Sequence, residues 1–150
     1  EKVQLSFHCQ DTIEEVGDHD EEDYAEDDDD DKEEEEDAMP VRFTVTETKA
    51  GKTLVINCIS EGGEVKIEGV ATSTQDVDSI HSQQGTLSKT SYEGPEFMEL
   101  DEALQEAFYT YLEDQLAVTS DVAAFVAMYT DYKEQQLYCQ FLLDAKSIIS

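Results

Sequence analysis

Positive charge is scarce in this sequence. Nine Lys and Arg stand against 38 Asp and Glu in 150 residues, a net charge of −29. That imbalance repels phosphate backbones, so direct nucleic-acid binding is disfavoured, and it attracts cations and basic proteins. Long apolar runs are missing as well. No stretch of about 18 apolar residues exists, so no helix is expected to span a bilayer. The opening EKVQLSFHCQ has neither the basic n-region nor the apolar h-region of a signal peptide. It starts directly in a strand-like pattern, and a leader processed off upstream of it would leave no trace. Cysteine is sparse too: Cys9, Cys58 and Cys139 are odd in number and widely separated. That excludes a disulfide framework and fits a reducing compartment, with all three expected to be small buried hydrophobes. His8, His19 and His81 have no ligand spacing to one another or to the cysteines, so no zinc site is expected.

Catalytic signatures are equally wanting. There is no G-x-S-x-G, no Walker loop, no CxxC and no H-E-x-x-H. With 38 carboxylates, some pairs fall at glycosidase-like separations by chance and carry no information. The chain is not expected to be an enzyme, since function must be argued from a site.

What the chain does have is acid. Asp18 to Asp37 holds 16 acids and one Lys; the remaining residues carry 22 acids against 8 bases, a net of −14, so the acidity is global as well as local. The candidate electrostatic contacts for a basic partner are Asp20, Glu21, Glu22, Asp23, Asp27, Asp28, Asp29, Asp30, Asp31, Glu33, Glu34, Glu35, Glu36 and Asp37. Such charge cannot condense into a core, and residues 11–38 are expected to form a long disordered insertion between strands. An EF-hand is excluded because no Gly occupies the sixth position after any Asp of the run. Diffuse, low-affinity binding of calcium by Asp27 to Asp37 is the most that a divalent-cation reading supports.

Around this insertion the pattern has the period of strands. Val3, Leu5, Phe7 and Cys9 alternate with Gln4, Ser6 and His8. Val41, Phe43 and Val45 resume the alternation, Lys49-Ala50-Gly51-Lys52 turns it into Leu54, Ile56 and Cys58, and Glu61-Gly62-Gly63-Glu64 turns it again into Val65 and Ile67. An antiparallel meander from Val41 to about Ala71 results. Residues 72–91, rich in Ser, Thr, Gln, Asp and Gly, are expected to be mobile, with at most a short strand at 86–91.

The period then becomes helical. Leu104, Phe108, Tyr111, Leu112 and Leu116 make one apolar stripe on a helix of about 15 residues that starts beside Asp101 and Glu102. Thr119-Ser120-Asp121 caps a second, longer helix, on which Phe125, Val126, Tyr129, Tyr132, Tyr138, Phe141, Leu142 and Ala145 form a stripe to the C-terminus. Strands followed by helices indicate a single α+β domain over residues 1–150, with helices on one face of an antiparallel sheet. Two amphipathic helices beside so small a sheet leave apolar surface to cover, which favours self-association.

The stretches SYEGPEFMELDEALQEAFYTYLED (91–114) and FVAMYTDYKEQQLYCQFLLDAKSII (125–149) resemble the mitochondrial glycoprotein family. These are acidic mitochondrial matrix proteins that include the receptor for the globular heads of the first complement component. KVQLSFHC, the long acidic insertion, VRFTVTETKAGKTLVINCIS and EVKIEGVATST follow the order of that family's middle strands, so the likeness covers nearly the whole chain. The resemblance rests on a Tyr-x-Gly-Pro approach at Tyr92, a Leu-Asp-x-x-Leu helix start at Leu100 and a Lys-Glu-x-x-x-Tyr turn at Lys133. It implies a twisted antiparallel sheet flanked by C-terminal helices, packed as a ring-shaped homotrimer with one acidic face and no enzymatic activity or cofactor. It also implies a matrix protein that binds many partners, RNA-binding ones among them, and supports mitochondrial RNA processing, translation and respiration. A chaperone for nucleic-acid-binding proteins is the alternative adaptor role. By that resemblance, the family's N-terminal helix and first two strands are expected to have no counterpart in this sequence. Its Arg-Gly between the last two helices is replaced by Gln115-Leu116, so that turn must be built differently.

Overall fold

A computed structural model describes residues 2–12, 39–75, 77–82, 92 and 94–149. Four strands form an antiparallel sheet in sequence order: β1 (Lys2–Thr12), β2 (Val41–Lys49), β3 (Lys52–Glu61) and β4 (Glu64–Ser73). Helix α1 (Val77–Ser82) follows, then a short 3₁₀ turn (Phe97–Glu99), α2 (Glu102–Asp114) and α3 (Ser120–Ile149). This is the expected α+β architecture with a meander sheet.

Both tight turns have two residues. Lys49 pairs with Lys52 across Ala50 (φ 51°) and Gly51 (φ 75°), and Glu61 pairs with Glu64 across Gly62 (φ 55°) and Gly63 (φ 77°). Two successive positive φ values match the right-handed twist of the flanking strands, which is why three of the four positions are glycines. The register then follows, and it sorts the strand residues onto two faces. One face gathers Phe7, Val41, Phe43, Val45, Ile56, Cys58 and Ile67 into the main core. Val126 and Ala123 of α3 are fully buried, and Ser60 Oγ donates to the Ala123 carbonyl at 2.9 Å, fixing the helix across β3. Phe7 meets the Tyr129 ring edge-on, with centroids 5.8 Å apart.

The opposite face is mainly hydroxylic and is covered in part by α1. Ile80 is fully buried in a small cluster with Val55 and Ala71. The His81 ring joins two strands through hydroxyls, with Nδ1 on Ser6 Oγ and Nε2 3.0 Å from Thr46 Oγ1. This helix lies inside the segment expected to be mobile and without a helix. Its six residues are too few for an amphipathic period to show, and tertiary burial of Ile80 rather than propensity holds them. The strand expected at 86–91 lies outside the described residues, as does the insertion from residue 13 to 38. β1 runs on to Thr12, two residues into the span expected as insertion.

Along the β4 edge, the Ile67 amide donates to Tyr109 Oη at 3.1 Å, so a side chain of α2 satisfies a ladder donor that no strand meets. Phe97 is almost wholly buried and takes ring-edge contacts from Phe108 and Tyr109. The chain reaches that position through Gly94 (φ +84°), where an added Cβ would stand 2.6 Å from the Val70 carbonyl oxygen. Asp101 caps α2, its Oδ1 accepting from the Ala103 amide at 3.0 Å. The link between α2 and α3, at Gln115-Leu116, turns on Ala117 at φ 55°. The Val118 amide closes it on the Leu112 carbonyl at 3.0 Å.

Two stability outcomes follow from these contacts. Gly94→Ala combines a left-handed φ with a backbone collision and should cost about 2 kcal/mol or more in urea unfolding; an unchanged midpoint would contradict the packing. Burial lowers the His81 pKa from its ordinary 6.5, with Asp78 opposing and Lys2 assisting. The unfolded chain therefore takes up that proton first as pH falls. The contribution of the neutral ring is whole above about pH 6.5 and is lost as pH drops towards the folded pKa. Unfolding at pH 7.5 and pH 5.5 should show a smaller acid-induced loss in His81→Gln than in the native chain.

Candidate binding surface

Charge is distributed unevenly over this scaffold. Between Lys89 and Lys133 the sequence holds ten acids and no Lys, Arg or His. Glu99, Asp101, Glu102, Glu106, Glu113 and Asp114, on α2 and the turn before it, are all exposed. Five bases lie on the strands (Lys2, Arg42, Lys49, Lys52 and Lys66), whereas α2 carries none. Arg42 reaches Glu68 at 3.1 Å and Lys66 binds Glu61, so some of the sheet's positive charge is matched locally. The Glu61 carboxylate raises the Lys66 pKa, chiefly through that hydrogen bond. The sequence signal for this surface is the base-free interval itself, which is less conspicuous than the run at 20–37. The fourteen acids from Asp20 to Asp37 singled out in the sequence lie outside the described residues.

Apolar exposure is concentrated on α3. Its buried residues are Ala123, Val126 and Thr130, all in the first half. Tyr132 is 56% exposed, Phe141 62% and Ile148 83%. At 1.5 Å per residue the helix is about 45 Å long, and strands of about ten residues give its distal half nothing to pack on. Tyr132, Tyr138, Phe141 and Leu142, which the helical period groups with the buried residues, are therefore exposed in this chain. The same geometry corrects the cysteine expectation. Cys58 is buried, Cys9 is half-buried and Cys139, on the distal half of α3, is exposed.

The described residues offer little for metal binding. Among them no group of three or more His, Cys, Asp or Glu side chains could hold a metal ion. Burial and the nearby Glu68 charge push the Cys58 thiol up to about 12, which leaves it without nucleophilic character near neutrality. No described helix is long and apolar enough to cross a membrane.

The family pattern described as mitochondrial glycoprotein matches residues 1–149. This chain belongs to the mitochondrial glycoprotein family. A mitochondrial protein of Arabidopsis thaliana, itself described as uncharacterised, is 31% identical over 112 residues, covering 75% of this chain and 41% of that relative. Among solved structures, the p22 protein of Trypanosoma brucei superposes with a TM-score of 0.63 at 24% identity, covering 81% of this chain and 65% of that one. A Leishmania major protein described as a sequence homologue of human p32 gives 0.59 at 22% identity, covering 79% of this chain and 66% of that one. At those identities the two structures establish the fold. The chain spans about two fifths of the Arabidopsis relative it matches.

Membership fits the four-stranded sheet and the long closing helix, and it makes the protein one of a mitochondrial family. Within that fold burial should protect the Cys58 thiol. A thiol-directed alkylating reagent at pH 8 should label Cys58 only after unfolding, as read by peptide mass spectrometry; prompt labelling of Cys58 in the native protein would contradict its burial.

Proposed function

We propose that this chain is a non-enzymatic acidic adaptor of the mitochondrial matrix. It recruits basic proteins, RNA-binding ones among them, and supports mitochondrial RNA processing, translation and respiration through those partners. The supporting observation is the base-free acidic surface of α2 and its approach, which adds a fixed field to that of the run at Asp20 to Asp37. A field of this kind raises the association rate of a positively charged partner and weakens as salt screens it. Self-association as a homotrimer accompanies this role, supported by the exposed distal half of α3, whose Phe141 and Leu143 are each 62% exposed. The calcium-buffer alternative rests on Asp27 to Asp37 alone, and the chaperone alternative rests on the same field acting as a phosphate mimic.

Titration with a basic RNA-binding protein at rising ionic strength tests the mechanism. Affinity should fall at least about tenfold between 50 and 300 mM salt, and salt-insensitive binding would contradict it. Deleting Asp20 to Asp37 should slow and weaken capture without abolishing it, because the net charge outside the 18–37 segment is still −14. Sedimentation equilibrium should return the mass of three chains, and a monomer at micromolar concentration would remove the trimer.

A further inference from the structure

The face of the sheet turned away from the main core carries the short helix α1, and the strand register shows what lies beneath it. Gln4 of β1 pairs with Thr46 of β2, Thr46 with Val55 of β3, and Val55 with Ala71 of β4, so one row crosses all four strands on this face. α1 meets that row through two consecutive side chains. Ile80, without solvent exposure, covers the apolar end at Val55 and Ala71. His81 covers the hydroxylic end, with Nδ1 on Ser6 Oγ of β1 and Nε2 3.0 Å from Thr46 Oγ1 of β2. Six residues do not hold a helix by propensity, so its seat on the sheet depends on such contacts.

The two hydroxyls assign the ring tautomer. Thr46 Oγ1 donates its own proton to the Gln4 carbonyl oxygen at 3.5 Å, which leaves its lone pairs to accept from the His81 Nε2–H. Ser6 Oγ then donates to Nδ1, the ring nitrogen with the free lone pair. A second ring proton has to enter at Nδ1, where the Ser6 hydroxyl already directs its hydrogen, and it places a charge on a half-buried ring. Asp78 stands on α1 itself, while Lys2 and His8 share the β1 face with Ser6; beneath the helix β2, β3 and β4 present Thr46, Val55 and Ala71, none of them ionisable. Burial disfavours the charged ring most, Asp78 favours it and Lys2 disfavours it, and the balance lowers the His81 pKa. Asp78 moves with the helix, so its attraction is kept when α1 lifts, whereas desolvation and the Lys2 charge are escaped.

We propose that α1 is a proton-operated latch: the neutral His81 ring pins the helix across β1 and β2, and protonation at Nδ1 releases it while the main core stays folded. Release is local because the two clusters are separate. The main core is built on the opposite face, from Phe43, Val45, Ile56 and Cys58, and Ile80 belongs instead to the small cluster with Val55 and Ala71. Elements with so little buried surface open at a lower free energy than the whole domain. The released helix takes up the proton more readily than the seated one, so the latch is closed above about pH 6.5 and opens as pH falls towards the seated pKa. Opening uncovers Ile80, Val55 and Thr46, which are otherwise buried. The latch is independent of the acidic-adaptor reading.

Methyl NMR of the isoleucine-labelled full chain tests this, with the Ile80 signal assigned by its loss in Ile80→Val. Between pH 7.5 and pH 5.0 the Ile80 methyl should shift from its buried position to that of a solvent-exposed isoleucine, while the Ile56 and Ile67 methyls of the main core stay in place. His81→Gln keeps a neutral donor and acceptor on α1 and should abolish the shift, and His8→Gln should leave it intact. Lys2→Gln removes a repulsion that only the seated ring feels, so it should reduce the fraction released at pH 5.0. The latch is overturned if the Ile80 methyl does not move, if Ile56 and Ile67 move with it, or if His81→Gln titrates as the native chain does. An unchanged released fraction in Lys2→Gln overturns it as well, whether or not the His81 variant seats its helix.

Discussion

Everything in this molecule depends on one packing contact: the first half of α3 lying across the apolar face of β2 and β3. Val45, Ile56 and Cys58 of the sheet and Ala123 and Val126 of the helix are essentially without solvent exposure, and Ser60 ties the helix backbone to β3. At about 25 cal/mol per Å² of buried apolar surface, such side chains supply the bulk of the stability of so small a domain. The contact also sets where α3 leaves the sheet, and therefore which half of it projects. Because α2 connects to α3 through the left-handed Ala117, the same contact positions the acidic helix.

The charge pattern is compatible with this core because, among the described residues, nearly all of it lies on surfaces. The described exception is Glu47, a β2 residue on the core side of the sheet, and the phenol of Tyr111 supplies a donor to it there. A buried acid needs such a partner, since stripping a carboxylate of water without one is costly. The bases gather on the strands and the acids dominate the approach to α2 and α2 itself. The two sides of the domain therefore present different fields to an approaching partner, and a protein carrying net positive charge would be oriented before contact.

The meander was legible because its signals are local. Alternation from Val41 to Ile67 and the pairs Ala50-Gly51 and Gly62-Gly63 each act within a few residues, and the cap at Asp101 does the same. α1 was not legible: Val77 to Ser82 has one decisive apolar residue, Ile80, whose burial depends on Val55 and Ala71 arriving from β3 and β4. The distal half of α3 was legible only in part. Its stripe of Tyr132, Tyr138 and Phe141 has the period of a core or subunit-interface face, but period reports which residues share a side and not what covers it. Cys139, expected to be buried, is exposed for that reason. The acidic run at 20–37 drew attention by density, whereas the α2 surface is marked by the absence of bases over a long interval and is easy to overlook.

By itself, then, the sequence determined the antiparallel order of β2 to β4, the two helices that follow, the strong negative charge and the lack of any catalytic motif. These properties follow from residue spacing and from counting charge. The tertiary structure alone decided which residues of α3 are covered, that α1 packs on the hydroxyl-bearing face through Ile80 and His81, and that the buried Glu47 takes its hydrogen bond from the Tyr111 hydroxyl. Those facts depend on the lengths of elements relative to one another and on contacts between residues as distant as Glu47 and Tyr111, which no local pattern encodes.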